Sequence, residues 1–195
     1  MARPREFEEN DAIRKATEVF WTHGYQDASL PDLLTGMGLT RGSLYKAFKD
    51  KKHLYLRVLE HYERDAVAGA VRMLTDAEMS DGSARIIALF ASIQAVAAQG
   101  EERGCLLCTA ASGPEMADAD IAAAVHRGLF QMQSGFIAAL EASSAHATLS
   151  ETDCLRLAEV LVTQYVGVRV LTRSRLPSGS VAHAAQGVAE ILRPR

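Results

Sequence analysis

No unbroken apolar run in this chain reaches the roughly 18 residues a membrane-spanning helix needs. The N-terminus is polar and lacks the apolar core of a secretory signal, so a cytoplasmic protein is expected. Runs of β-branched residues are few and alanines many, which favours helix over sheet. Cysteine is scarce. Three thiols, Cys105, Cys108 and Cys154, are too few for a disulfide framework and fit a reducing compartment. A structural zinc site would need four ligands, yet there is one Cys-x-x-Cys and no second. His23, His53, His61, His126, His146 and His183 form no ligand cluster, and no Ser-His-Asp or phosphate-loop pattern is present. No catalytic residues, metal or cofactor are therefore expected, and the chain is not expected to be an enzyme.

Lysine is missing from everything beyond residue 52. The five lysines are Lys15, Lys46, Lys49, Lys51 and Lys52, whereas residues 61–195 carry eleven arginines against fifteen acids. The net charge of −3 hides this asymmetry. From Thr40 to Lys52 five basic residues face one acid. A basic head on an acidic body is the electrostatic pattern of a small DNA-binding domain joined to something else.

The stretch Ser29–Lys52 gives that head its shape. Ser29 is a helix N-cap, with Asp32 placed to complete a capping box and Pro31 in the first turn, where its missing N–H costs nothing. Leu30, Leu33 and Leu34 supply an apolar stripe, and Gly36-Met37-Gly38-Leu39 breaks the helix. Thr40 caps a second helix whose inward face is Leu44, Ala47 and Phe48. Arg41, Gly42, Ser43, Tyr45 and Lys46 are left facing outward. A helix N-terminus favours phosphate, Arg41 suits a base edge or phosphate, and Gly42 allows close backbone approach.

Together, Gly24-Tyr25, Ala28-Ser29-Leu30, Gly38-Leu39-Thr40, Gly42-Ser43-Leu44-Tyr45, Phe48 and Lys51-Lys52 resemble the DNA-binding domain of TetR-family transcriptional repressors. The resemblance runs over residues 20–55, about a fifth of the chain. It implies an all-α protein of about nine helices, with residues 1–48 as a helix-turn-helix head and 49–195 as a ligand-sensing and dimerisation body. It implies DNA contacts from Thr40, Arg41, Gly42, Ser43, Tyr45 and Lys46, with Ser29 and Lys52 on phosphates. The partners it implies are a palindromic double-stranded operator, a second copy of the chain, and a small apolar or electrophilic effector; no membrane is involved.

Elsewhere the pattern is helical. Helix 1 is expected over Phe7–His23, ended by Gly24-Tyr25, with Trp21 and Tyr25 as core or joint aromatics; Arg3 and Arg5 form an arm that either reaches a minor groove or makes no contact. Asp50 should cap a long helix that carries Lys51 and Lys52 in its first turn beside the DNA. After a break at Ser80-Asp81-Gly82-Ser83, helices are expected over about 84–98, a short one from 103, 118–144, 150–172 and 181–192, the last two separated at Pro177. Phe90, Ile93, Cys108, Met132, Gln133 and Phe136 either line an effector cavity or are plain core. The last two helices, with small residues Gly167, Ala184, Ala185 and Gly187, either pair with a second subunit or close the monomer.

The cysteine pair has two readings. A buried free thiol is a small hydrophobe. Alternatively Cys105, near Arg103 and at a helix start, is a redox or electrophile sensor. Gly104-Cys105-Leu106-Leu107 is similar to the same segment in a NemR-like branch of the family that answers electrophiles and reactive chlorine. A helical thiol enzyme using Cys105 and a protein-binding helical adaptor are the rival classes.

Overall fold

The computed structural model describes residues 8–79, 81–174 and 178–193; the arm at Arg3 and Arg5, the Ser80 position and Pro177 lie outside them. Among the described residues there is no strand. The first helix, α1 (Glu9–Asp27), buries Ala12, Ile13, Ala16 and Phe20 at helical spacing. Gly24 breaks its regular geometry as expected, at φ 80°, and one further turn follows. Next, α2 (Leu30–Met37) starts on the Ser29–Asp32 capping box and ends at Gly38 in the left-handed region. Only Gly38 is the break. Gly36 stays helical, because a Cβ there would sit 2.4 Å from Val19 Cγ2 of α1; it sets how closely the two helices pack.

Thr40 caps α3 (Arg41–Phe48), its hydroxyl oxygen accepting the Ser43 amide. Asp50 caps α4 (Lys51–Tyr62) in the same way through His53 N. Between them the Asp50 amide donates to the Phe48 carbonyl at 2.7 Å around Lys49, whose φ and ψ are 65° and −55°. That is a γ-turn of the strained, positive-φ kind. The α4 rod continues through a π-helical segment, Glu63–Val67, into α5 (Ala68–Thr75), so the expected long helix is present with one wide turn in it.

The body adds α6 (Gly82–Ala98), α7 (Leu106–Ala111), a 3₁₀ turn at Pro114–Ala117, α8 (Ala119–Glu141), α9 (Glu151–Arg173) and α10 (Ser178–Ile191). If the α4–α5 rod is taken as one helix, this gives nine among the described residues. Asp81, Asp118 and Ser150 cap α6, α8 and α9. A Cβ on Gly82 would lie 1.7 Å from the Ala139 carbonyl, so the start of α6 is pressed onto the end of α8. One buried apolar cluster runs from Phe20, Leu33 and Leu44 through Tyr55 and Tyr62 to Phe90, Phe136 and Leu161.

The joint where α1 meets α4, Arg103 and α9 is aromatic and basic. Phe20, Tyr25 and Tyr55 pack with ring centroids 4.7–6.2 Å apart. Trp21 meets Tyr62 edge-on at 5.2 Å and carries the Arg103 guanidinium 4.4 Å from its ring centre. Its carbonyl accepts from Arg173 of α9 at 2.9 Å.

Candidate functional site

The outward face of α3 is built by what the helix hides. Leu44 and Phe48 are buried, which fixes the rotation of the helix and leaves Thr40, Arg41, Gly42, Tyr45 and Lys46 exposed, with Ser43 half-buried. Arg41 lies 5.6 Å from the Tyr45 ring centre, so cation and aromatic share one ridge. The Thr40 and Ser43 hydroxyls are 3.0 Å apart. Ser29, at the start of α2, donates its hydroxyl to Asp32, and the Ser29 amide donates to the same carboxylate at 3.0 Å. Those bonds hold the Asp32 carboxyl below its usual range.

The two lysines that open α4 are already engaged within the chain. Lys51 donates to the Gln26 carbonyl at 3.1 Å and lies 4.9 Å from the Tyr25 ring centre. Lys52 reaches Asp118 and Asp120, both at 2.7 Å, and their hydrogen bonds raise its pKa above the ordinary lysine value. Asp118 is doubly used: Oδ1 caps α8 by accepting the Asp120 and Ile121 amides, while Oδ2 holds Lys52. This bridge ties the start of α4 to the start of α8, and nothing in the local sequence around Lys52 announces it.

Among the described residues, the six named for an effector cavity fall in different places. Phe90, Ile93, Met132 and Phe136 are buried, with the Phe90 and Phe136 rings stacked at 6.2 Å. Gln133 borders a cleft of about 320 Å³ between α8 and α9, together with His126, Phe130 and Val162. Cys108 borders a different cleft of about 190 Å³. A wider opening, about 690 Å³, lies between α5 and α8 beside Val71, Arg72, Arg127 and Phe130. Phe130, 65% exposed, stands between the α5–α8 and α8–α9 clefts, and its exposure is the one feature that sequence periodicity did not single out.

The thiol cluster has a different cation from the one expected. Arg103 is turned away to Glu101, Glu18 and the face of Trp21. The charge beside Cys105 is Arg169 of α9, which donates to the Gly104 carbonyl and keeps a buried Nε without a partner. Gly104 is required here: its φ is 70°, and a Cβ would fall 2.6 Å from the Arg169 carbonyl. Cys105 and Cys108 are both buried, at the cap and in the first turn of α7. A hydrogen bond from the Cys108 thiol, then the Arg169 charge and the Tyr62 hydroxyl, outweigh burial and push the Cys105 thiol down to about 5. Its own bond to Cys105, reinforced by burial, raises Cys108. Burial works against the Arg169 charge, yet Tyr165, Cys105 and Tyr62 hold it above the usual arginine value. Cys154, buried elsewhere, is simply raised by burial.

Three comparisons bear on these features. Residues 12–58 match the family model described as bacterial regulatory proteins, tetR family. The chain is 40% identical over 60 residues to the HTH-type transcriptional repressor ComR of Escherichia coli K12, 31% of this chain and 29% of that protein. It is 33% identical over 76 residues to the HTH-type transcriptional activator FasR of Mycolicibacterium smegmatis, 37% of this chain and 35% of that one. The chain thus spans about a third of the length of the curated relatives it matches. The whole fold is similar to a cysteine mutant of the TetR-family regulator CifR complexed with 26-base-pair operator DNA, at 27% identity, 98% coverage of both chains and a TM-score of 0.80. It also matches reduced Escherichia coli NemR, at 19% identity, covering 93% of this chain and 95% of that one, with a TM-score of 0.78, a likeness of fold alone.

Proposed function

This chain belongs to the TetR family of bacterial DNA-binding regulatory proteins, and on that premise we propose that it is a homodimeric repressor released from a palindromic operator by a small-molecule effector. The observation that carries the reading is the exposed Thr40–Arg41–Gly42–Tyr45–Lys46 face on a helix anchored by buried Leu44 and Phe48. Arg41 reads base edges or phosphate, Lys46 and Ser43 hold phosphate, and the free amides at the start of α3 favour the same anion. Ser29 and Lys52 contact flanking phosphates. Residues 1–48 act as the head and 49–195 as the sensing and dimerising body. Two copies are needed because one short helix reads too few bases, and two-fold symmetry sets two of them in grooves about 34–36 Å apart. Leu155, Val160 and Val170 of α9 are exposed, and Gly167 and Gly187 leave open space for close helix approach, which supports pairing through α9 and α10.

The effector acts by its difference in affinity for the DNA-competent and released forms. The six core and cleft residues named above, Phe90, Ile93, Cys108, Met132, Gln133 and Phe136, line its site once α8 shifts, with the openings beside Phe130 as the way in. The test is a footprint on DNA flanking the gene with wild type and Arg41→Ala/Lys46→Ala. Each lost contact should weaken binding by about 1–3 kcal/mol. Wild-type affinity for the double mutant would overturn the assignment of α3, and a selection from random DNA returning no preferred site would overturn the repressor.

A second reading is favoured by one observation: Cys105 and Cys108 stand together at the start of α7, with Arg169 bonded to the adjoining Gly104 carbonyl. Under it, the signal is an oxidant or electrophile acting on Cys105. Loss of the response in Cys105→Ser, with DNA binding retained, separates this from a thiol enzyme, whose turnover would disappear instead.

A further inference from the structure

We propose that Cys105 and Cys108 are a reversible dithiol–disulfide couple, closed by a small hydroperoxide, whose state is passed through Tyr62 to α4 and the DNA-binding head. The proposal rests on the thiol-sensing reading and adds the second sulfur, the oxidant class and the route.

Four features support it. The two sulfurs are three residues apart where the chain enters α7, with Cys105 still in extended backbone at φ −119° and Cys108 in the first turn. Cys105 is the N-cap of α7 and Cys108 its third residue, the pair of positions whose side chains meet at a helix start, so the second sulfur is beside the first. The cleft of about 190 Å³ is bordered by Cys108 and Arg169, along with Thr109, Ser112 and Arg173. A peroxide is small enough to enter it, and Arg169, with its unpartnered Nε, supplies a donor for the departing oxygen. Cys154 has none of these neighbours and serves as an internal control.

The chemistry balances without another component. The Cys105 thiolate attacks the terminal oxygen of R–O–O–H and the O–O bond breaks. The RO⁻ fragment takes a proton and leaves as ROH, and Cys105 becomes a sulfenic acid. The Cys108 sulfur then attacks the Cys105 sulfur, the S–O bond breaks, and hydroxide departs with the Cys108 proton as water. Two thiols lose two electrons and the peroxide gains two. A dithiol reductant reverses the change by exchange.

The same step has a mechanical consequence. The Cys105 thiolate, the Tyr62 and Tyr165 hydroxyls and the Arg169 guanidinium act on one another's charge, and Arg169 is held beside Cys105 by its bond to the Gly104 carbonyl. A disulfide has no charge, so Arg169 is left as a buried cation without its counter-ion, and the cluster must rearrange. Tyr62 is the last residue of α4, directly before the π-helical segment and edge-on to Trp21 of α1. Arg173, one turn beyond Arg169, is bonded to the Trp21 carbonyl. The rearrangement therefore falls on both helices that carry the head.

The test uses the full reduced protein and hydrogen peroxide, reading thiol content, intact mass and operator affinity from one sample. The expected result is a loss of two hydrogens in mass, one alkylatable thiol left of three, and operator affinity reduced about tenfold or more, recovered with dithiothreitol. Cys108→Ser should stop at a dimedone-reactive Cys105, and Cys154→Ser should behave as wild type. Tyr62→Phe should form the disulfide yet keep most of its operator affinity. Three alkylatable thiols after peroxide, or a mass gain of oxygen in the wild type, would overturn the couple. A disulfide with unchanged operator affinity would overturn the transmission. Reduced protein that binds no operator sinks the repressor reading instead, while the mass still decides the couple.

Discussion

The Cys105 sulfur is held between groups that favour its charged form and a buried setting that opposes it. The favouring groups win, bringing the thiol to about 5 from an ordinary 9.0. A folded value below the unfolded one means that the stability this thiolate lends is fully present above pH 9.0 and is lost as pH falls through about 5. The ultraviolet absorbance of the thiolate should accordingly persist to near pH 5 in the native protein, with Cys105→Ser lacking it and Cys108 contributing none at neutral pH. Over the same window the wild type should lose stability more steeply than Cys105→Ser on acidification. A titration midpoint at the ordinary thiol value would show that Arg169 and Cys108 do not hold the anion. The Cys-x-x-Cys spacing was legible in the sequence because both sulfurs are local. The cation was not. Arg103 lay two residues away, but Trp21, Glu18 and Glu101 take it, whereas Arg169 reaches Cys105 only because α9 packs across the Gly104 turn.

At the scale of the element, the caps at Ser29, Thr40 and Asp50 were readable because a cap is decided within four residues by one side-chain oxygen and one free amide. The turn joining α3 to α4 was not readable. Lys49 gives no sign in its residue type of a φ of 65°, and the i-to-i+2 bond that closes the γ-turn is a product of docking Phe48 and Leu54 into one core. A side chain in this region stores about 1–3 kcal/mol of strain, part of which a glycine would relieve. Lys49→Gly should therefore raise stability by up to about 1 kcal/mol, after allowing for the extra freedom glycine gives the unfolded chain. Lys49→Ala, which keeps a Cβ, should give no such gain. Urea melts of the three proteins decide it, and a Lys49→Gly protein less stable than the alanine variant would show the turn to be unstrained. The π-helical segment at Glu63–Val67 belongs with Lys49: apolar periodicity is the same on either side of it, so only the structure reveals the extra residue in the turn.

For the whole molecule, the fold class followed from composition and periodicity, whereas sites made between distant segments did not. Phe90, Met132 and Phe136 lie on apolar stripes that core and cavity lining share, and only the packing opposite them distinguishes the two; in the free protein all three are buried and the two rings are stacked. Lys52 is the clearest case. By resemblance it serves the DNA, yet in the free protein its ammonium is bound by Asp118 and Asp120 of α8. One ammonium group cannot serve both partners fully, so under the proposed function phosphate and the α8 carboxylates compete for it, and DNA binding costs the α4–α8 bridge. Asp118→Asn/Asp120→Asn tests this without unravelling α8, since an asparagine side-chain oxygen keeps the Asp118 cap to the Asp120 and Ile121 amides. With Lys52 released and two like charges removed from the approach of DNA, operator affinity at low salt should rise severalfold. The log–log salt slope should steepen, by no more than the value of about 0.9 that one fully neutralised phosphate contributes. Lys52→Met in the same background should cancel both effects. An unchanged slope with intact helical content would mean that Lys52 stays on the body when the protein meets DNA, and that its role is to hold the start of α4 against α8.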